Sequence, residues 1–356
     1  MKIAAKSIIL ILVVFSIVTY LTTLVLGPVL FYSTSDGLKV AARSIHAIPL
    51  EVFMALPVDV PIRVTMGVLF GGLVIIFGLC IVFAWKDRGG FISSLKGAVT
   101  NPISFAKTNF LFMMPIAATA LLYASVIIDQ FQQSEGVQTG SLSFPPQTSP
   151  YIILINLAFA PVNEEIAFRI TSIGIPLGFF LIFLYRHDPK VSSAKQRIKL
   201  LLFSMLSPEQ AKARLGYSNV ETKGIFRGIS LFEWVLILAT SFAFGAAHYL
   251  LGGGWQIGKI STAFLAGFVF ALMFVSYGAY AAILMHWFFD YYFTVLDLAD
   301  STYGGIFHSF ANVVELTNLV AGAVIVVVLL LYWAVKLADY LTLRASGMNP
   351  SSEDSA

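Results

Sequence analysis

Six ionisable residues stand where an apolar chain has little reason to place them. Glu164, Glu165 and Arg169 fall in the string APVNEEIAFRI, His248 in SFAFGAAHYL, and His286 with Asp290 in LMHWFFDYY. Each string lies inside a long apolar block. A charged residue at mid-bilayer costs on the order of 2.5–3.5 kcal/mol on insertion scales, so it needs a partner or a task. Spacing separates the two glutamates. Glu165 and Arg169 are i and i+4, share a helix face and can pair. Glu164 is rotated by about 100° and has no partner in its own motif. Phe244 with His248, and His286 with Asp290, are again i and i+4. If the three stripes converge, they enclose carboxylates, two imidazoles and a guanidinium. That set suits water activation. A carboxylate without an arginine partner can take a proton from water, and an imidazole can assist it or donate to a developing oxyanion. Asp290 can orient a neighbouring histidine or, when protonated, contact the oxyanion. Plainer readings exist for Glu165–Arg169 as a structural pair, for His248 as a packing residue and for His286–Asp290 as a local hydrogen bond. Glu164 has no such local explanation.

These residues need helices to carry them. Of 356 residues, 58% are apolar and only 12% are charged. Soluble domains average about 25% charged residues. The apolar positions cluster in blocks at 7–32, 65–85, 109–128, 150–185, 231–251, 260–279, 281–297 and 313–335. Most hold about 20 residues, enough for a ~30 Å hydrocarbon core. The first block is too long for a signal-peptide core and reads as a span. The expected fold is therefore all-α, a polytopic transmembrane bundle of about eight spans with a polar cavity inside the membrane. A single cysteine, Cys80, excludes a disulfide framework and a cysteine-based metal site.

Charge placement orients the bundle. The segments 86–108 and 186–228 are basic and read as cytoplasmic, whereas 129–149 lacks Lys and Arg and reads as external. One crossing over 150–185, kinked near Gly174 and Pro176, satisfies this pattern. Both termini then lie inside, and Lys39, Arg43 and Arg63 in the first external loop fit least well. Three further expectations concern organisation. Residues 1–149 carry the first three helices with their loops, 150–297 the catalytic core with the basic insertion 186–228, and 298–343 the last helix. The insertion begins a short surface helix at Pro208–Glu209. Residues 344–356 form a polar, disordered tail.

The three strings resemble the CPBP family of intramembrane endopeptidases, which includes CAAX proteases and bacteriocin-processing proteins. The family pattern EExxxR, FxxxH and HxxxN/D is matched by Glu164-Glu165-x-x-x-Arg169, Phe244-x-x-x-His248 and His286-x-x-x-Asp290. The resemblance covers about 150–297. It implies a peptidase in which Glu164 activates water with support from His248, and His286 with Asp290 forms the oxyanion side. Glu165, Arg169 and Phe244 would position them. Asp290 departs from the asparagine of the eukaryotic-type members, and an aspartate donates to an oxyanion only when protonated. A glutamic mechanism without cofactor is the favoured expectation; zinc held by Glu164, His248 and His286 is the alternative. The implied partners are a peptide or protein substrate and the bilayer, with no nucleic acid, in a membrane taken as prokaryotic. Two other function classes stay open: a proton-coupled transporter, in which the same residues relay protons, and a non-catalytic scaffold of the same fold.

Overall fold

The computed structural model describes residues 2–100 and 104–345, so the expected disordered tail lies outside the described residues from 346 onward. The chain is overwhelmingly helical. α1 (Lys2–Ser33) and a short α2 (Ser35–Ala41) lead into four strands. Then come α3 (Met66–Lys86), α4 (Phe91–Thr100), α5 (Phe110–Ser134) and α6 (Pro150–Leu184). Three short helices follow, α7 (Ala194–Leu206), α8 (Pro208–Leu215) and α9 (Val220–Gly228). The chain ends in α10 (Leu231–Leu250), α11 (Lys259–Tyr277), α12 (279–303) and α13 (Ile306–Ala345).

Seven helices among the described residues are long and apolar enough to cross a membrane: α1, α3, α5, α6, α10, α11 and α13. The protein is an integral, multi-pass membrane protein. The eighth expected span, 281–297, lies in α12, which runs unbroken through Ala279–Trp287, Phe288–Tyr292 and Phe293–Tyr303. Its length suffices, but His286, Asp290, Asp297 and Asp300 lower its apolar content. Those groups are tolerated because α12 is the axis of the bundle. Trp287, Tyr291 and Tyr292 are fully buried. Tyr20 of α1 packs edge-on against Trp287 and Tyr292 at 5.8 and 5.2 Å between ring centroids. The Tyr292 hydroxyl donates to Thr19 Oγ1 at 2.8 Å.

The block 150–185 forms one span, not two. Its 35 residues reach about 52 Å at 1.5 Å per residue, more than the ~30 Å core needs, so α6 must tilt or project. The kink expected near Gly174 is a π-helical stretch, Ile166–Gly174. Thr171 Oγ1 donates to the Ile166 carbonyl at 2.8 Å and Ser172 Oγ to that of Ala167 at 2.6 Å, five residues back in each case. Such local side-chain bonds let the backbone leave the α register. Gly174 permits the close approach of α7; a Cβ there would lie 2.6 Å from Met205 Cα.

The all-α expectation needs one addition. The first loop folds into a double hairpin. Strands β1 (Ser44–Ile45) and β4 (Val64–Thr65) pair antiparallel, and β2 (Ile48–Val52) pairs with β3 (Leu56–Val60) from Ile48↔Val60 to Val52↔Leu56. The turn Phe53-Met54-Ala55 holds three successive non-glycine residues in the left-handed region, at φ 45, 62 and 77°. That conformation is costly and persists only where contacts enforce it. Here α6 enforces it. The Phe53 amide donates to Thr171 Oγ1 at 2.9 Å, the Met54 amide to the Ala167 carbonyl at 3.2 Å and the Glu51 amide to Asn163 Oδ1 at 2.8 Å.

The basic insertion is exposed at its basic residues, with one exception. α8 starts at Pro208 as its sequence suggests, but Lys212 is fully buried. Its Nζ donates to Glu233 Oε1 at 2.8 Å and to the Gly228 carbonyl at 2.9 Å. Lys212 therefore locks the insertion onto α10 rather than meeting lipid headgroups. The polar and basic ends of the bundle are thus distinct. The loops 34–65, 135–149 and 251–258 share one end, opposite the insertion.

Candidate active site

α6, α10 and α12 bring all seven sequence-predicted site residues into one neighbourhood. Glu165 is its hub. Glu165 Oε1 accepts from Arg169 Nη1 at 3.0 Å and lies 2.9 Å from His286 Nδ1. The first and third motifs are thereby joined directly. Arg169 is fully buried and spends Nη2 on the Gly267 carbonyl of α11 at 3.0 Å. Its guanidinium carbon also sits 4.5 Å from the centroid of the Phe244 ring. Phe244 in turn packs edge-on to His248 at 4.7 Å and to His286 at 5.8 Å. One aromatic ring thus spaces both imidazoles and the arginine.

His286 is held from both sides. Nε2 lies 3.2 Å from Asp290 Oδ2 and 3.8 Å from Glu164 Oε2. With Glu165 on Nδ1 and Asp290 on Nε2, both nitrogens face carboxylate oxygens, which accept and do not donate when ionised. His248 is held differently. Nδ1 lies 2.9 Å from the Phe244 carbonyl. A carbonyl only accepts, so Nδ1 carries the hydrogen and Nε2 is left as an acceptor in the neutral ring. Glu164 stands at the edge of the His286 system and forms no hydrogen bond within it. Its side chain is 26% exposed, yet Oε2 is buried and has no hydrogen-bond partner among the described residues.

Two cavities meet at His248. One, of about 250 Å³, is lined by Glu164, Glu51, Phe168 and Trp255. The other, of about 190 Å³, is lined by His286, Asp290, Phe270, Asp129 and Lys259. Both include His248. Glu51 comes from β2, is half-buried, and burial raises its carboxyl above the ordinary carboxylate range.

Sequence reasoning alone passes over Glu51, Phe270, Asp129 and Lys259. Phe270 stacks on His286 at 5.1 Å, but one phenylalanine among 31 carries no signal. Glu51 sits in a loop, where a carboxylate needs no explanation. Asp129 and Lys259 flank apolar blocks, and charges at block ends look like ordinary membrane boundaries.

The zinc alternative finds little support in the donor geometry. Among the described residues no three His, Cys, Asp or Glu side chains are grouped to hold a metal ion. His286 faces Glu165 through Nδ1 and Asp290 through Nε2, and His248 Nδ1 faces the Phe244 carbonyl.

A comparison with protein families now has a geometry to stand on. Residues 146–292 match the family described as type II CAAX prenyl endopeptidase Rce1-like. Over this stretch the chain is similar to the CAAX proteases. The stretch takes in α6, the insertion, α10, α11 and the first part of α12, so every motif residue lies within it. That similarity supports an intramembrane endopeptidase kind of function acting on protein or peptide substrates at the membrane. Comparison with curated proteins and with solved structures found no match.

Proposed function

We propose that this protein hydrolyses a peptide bond at the membrane with a water molecule activated by Glu164 and His248, and without a bound metal. The carrying observation is the division of labour among carboxylates. Glu165 is fully buried with Oε1 between Arg169 and His286, and Asp290 faces His286, while Glu164 Oε2 has no hydrogen-bond partner and Glu164 lines the larger cavity. A water between Glu164 and His248 can donate one hydrogen to each and direct its lone pair at a carbonyl carbon. As the C–O bond forms, Glu164 takes one water proton. When the C–N bond breaks, that proton passes to the leaving nitrogen, which departs as an amine, and the other product is a carboxylic acid. His286 is the donor for the developing oxyanion. Glu165 holds its ring through Nδ1, and the Nε2 hydrogen is shared between Asp290 and the oxyanion as charge builds. Asp290 thus acts through His286, a role that an ionised carboxylate can fill.

The charge pattern supports an orientation in which the insertion and both termini face the cytoplasm. The family name points to peptides ending in a CAAX motif, whose cysteine carries the prenyl group. The direct test uses purified protein in lipid nanodiscs and CAAX peptides with and without an S-prenyl group. Glu164→Gln is expected to lower turnover about 10²–10⁴-fold, the usual worth of a positioned general base, while the melting transition is retained. Wild-type turnover by Glu164→Gln overturns the assignment of the base. Turnover lost to a strong chelator and restored by zinc overturns the metal-free reading.

A further inference from the structure

Lys259 is a cation in the active-site cavity with no task in the chemistry above. It opens α11 and lines the smaller cavity together with His286, Asp290 and Asp129. Its ammonium sits 4.0 Å from the centroid of the Trp255 ring. Asp129, Asp290 and Glu164 act on it electrostatically, but among the described residues none forms a salt bridge with it. Asp290 is engaged by His286. Asp129 leaves Oδ1 buried without a hydrogen-bond partner. An aromatic face attracts an ammonium without using its N–H donors, so Lys259 keeps three donors for a ligand.

The perch is built rather than incidental. Trp255 is bridged antiparallel to Gly140. The Gln256 amide donates to the Thr139 carbonyl at 3.0 Å, and the Gly258 amide to that of Gln138 at 2.9 Å. The loops 135–149 and 251–258 are thus zipped together, and the ring beneath the ammonium is fixed at the rim of the bundle. A charged ligand reaching this point need not enter the hydrocarbon, which would be costly.

We infer that Lys259 binds the free C-terminal carboxylate of the substrate and so fixes which bond lies beside Glu164. The inference rests on the peptidase reading. The cavity of about 190 Å³ that Lys259 and His248 both line has room for a short stretch of chain. Cleavage therefore falls a few residues from the C-terminus, with the released peptide lying on the Lys259 side. The remainder of the substrate runs past His248 into the larger cavity, where Glu51 makes the opposite end acidic. Lys259 is the cation of the smaller arm and the larger arm has none, so the carboxylate end of the chain lies on the Lys259 side.

The test separates binding from turnover. Fluorescent prenylated CAAX peptides are made in three forms: free acid, C-terminal amide, and amide with aspartate as the last residue. Binding to the full chain is measured on the Glu164→Gln background in nanodiscs. The acid is expected to bind roughly 10- to 100-fold tighter than either amide, the range of a charged hydrogen bond lost. Lys259→Gln is expected to erase that preference and Lys259→Arg to keep part of it. Equal binding of acid and amide overturns the inference, as does an aspartate amide that matches the acid, or a preference that survives Lys259→Gln. Absence of cleavage by the wild-type protein, with the acid preference intact, instead overturns the peptidase reading.

Discussion

Glu165 is where three helices are tied. It meets Arg169 on its own helix and His286 on α12, while Arg169 reaches the Gly267 carbonyl on α11. Breaking a buried pair by removing one partner leaves a charge uncompensated, at about 3–5 kcal/mol. Arg169→Met is therefore expected to lower the unfolding midpoint strongly in mild detergent. The double variant Glu165→Gln, Arg169→Met should recover part of the loss, because no lone charge remains; a double variant no better than the single removes this account. The difference between Glu164 and Glu165 was legible from the i, i+4 rule, since only Glu165 has an arginine one turn away. The link from Glu165 to His286 was not. It joins residues 121 positions apart, and no local spacing encodes it.

At the scale of elements, block length and composition foretold every spanning helix, and the aromatic string around His286 foretold α12. The π-helical stretch Ile166–Gly174 was not foreseen, because hydroxyls returning to carbonyls five residues back have no period of their own. The hairpin was invisible for a different reason. Its anchors, Asn163 and Thr171, lie more than 100 residues downstream. Thr171→Val keeps the shape of the side chain but strands the Phe53 amide, which costs about 1–3 kcal/mol for a buried donor. With its three left-handed residues unsupported, the turn is expected to open, and limited proteolysis between 53 and 55 should accelerate. Unchanged proteolysis there would show that the Met54 contact alone holds the tip. Gly174→Leu, which drives a side chain into α7 at Met205, should loosen the insertion and cost about 1–3 kcal/mol by overpacking.

Across the whole molecule, helix direction alternates so that the active-site loops gather at one end and the basic insertion at the other. The lone cysteine, Cys80, is buried, which allows single-cysteine labelling after its replacement by alanine. Cysteine placed at Gln138 should react with an impermeant maleimide added outside cells, and cysteine at Lys195 only after permeabilisation; the reverse pattern inverts the orientation. The long reach between the hairpin and its anchors also has a consequence in time. The turn at Phe53 leaves the ribosome well before Thr171, 118 positions later. At about 5–20 residues per second, that interval is on the order of 6–24 s. For that time the roof of the cavity exists without the helix it rests on. The active site is thus completed late in synthesis, by the docking of an early segment onto a late one.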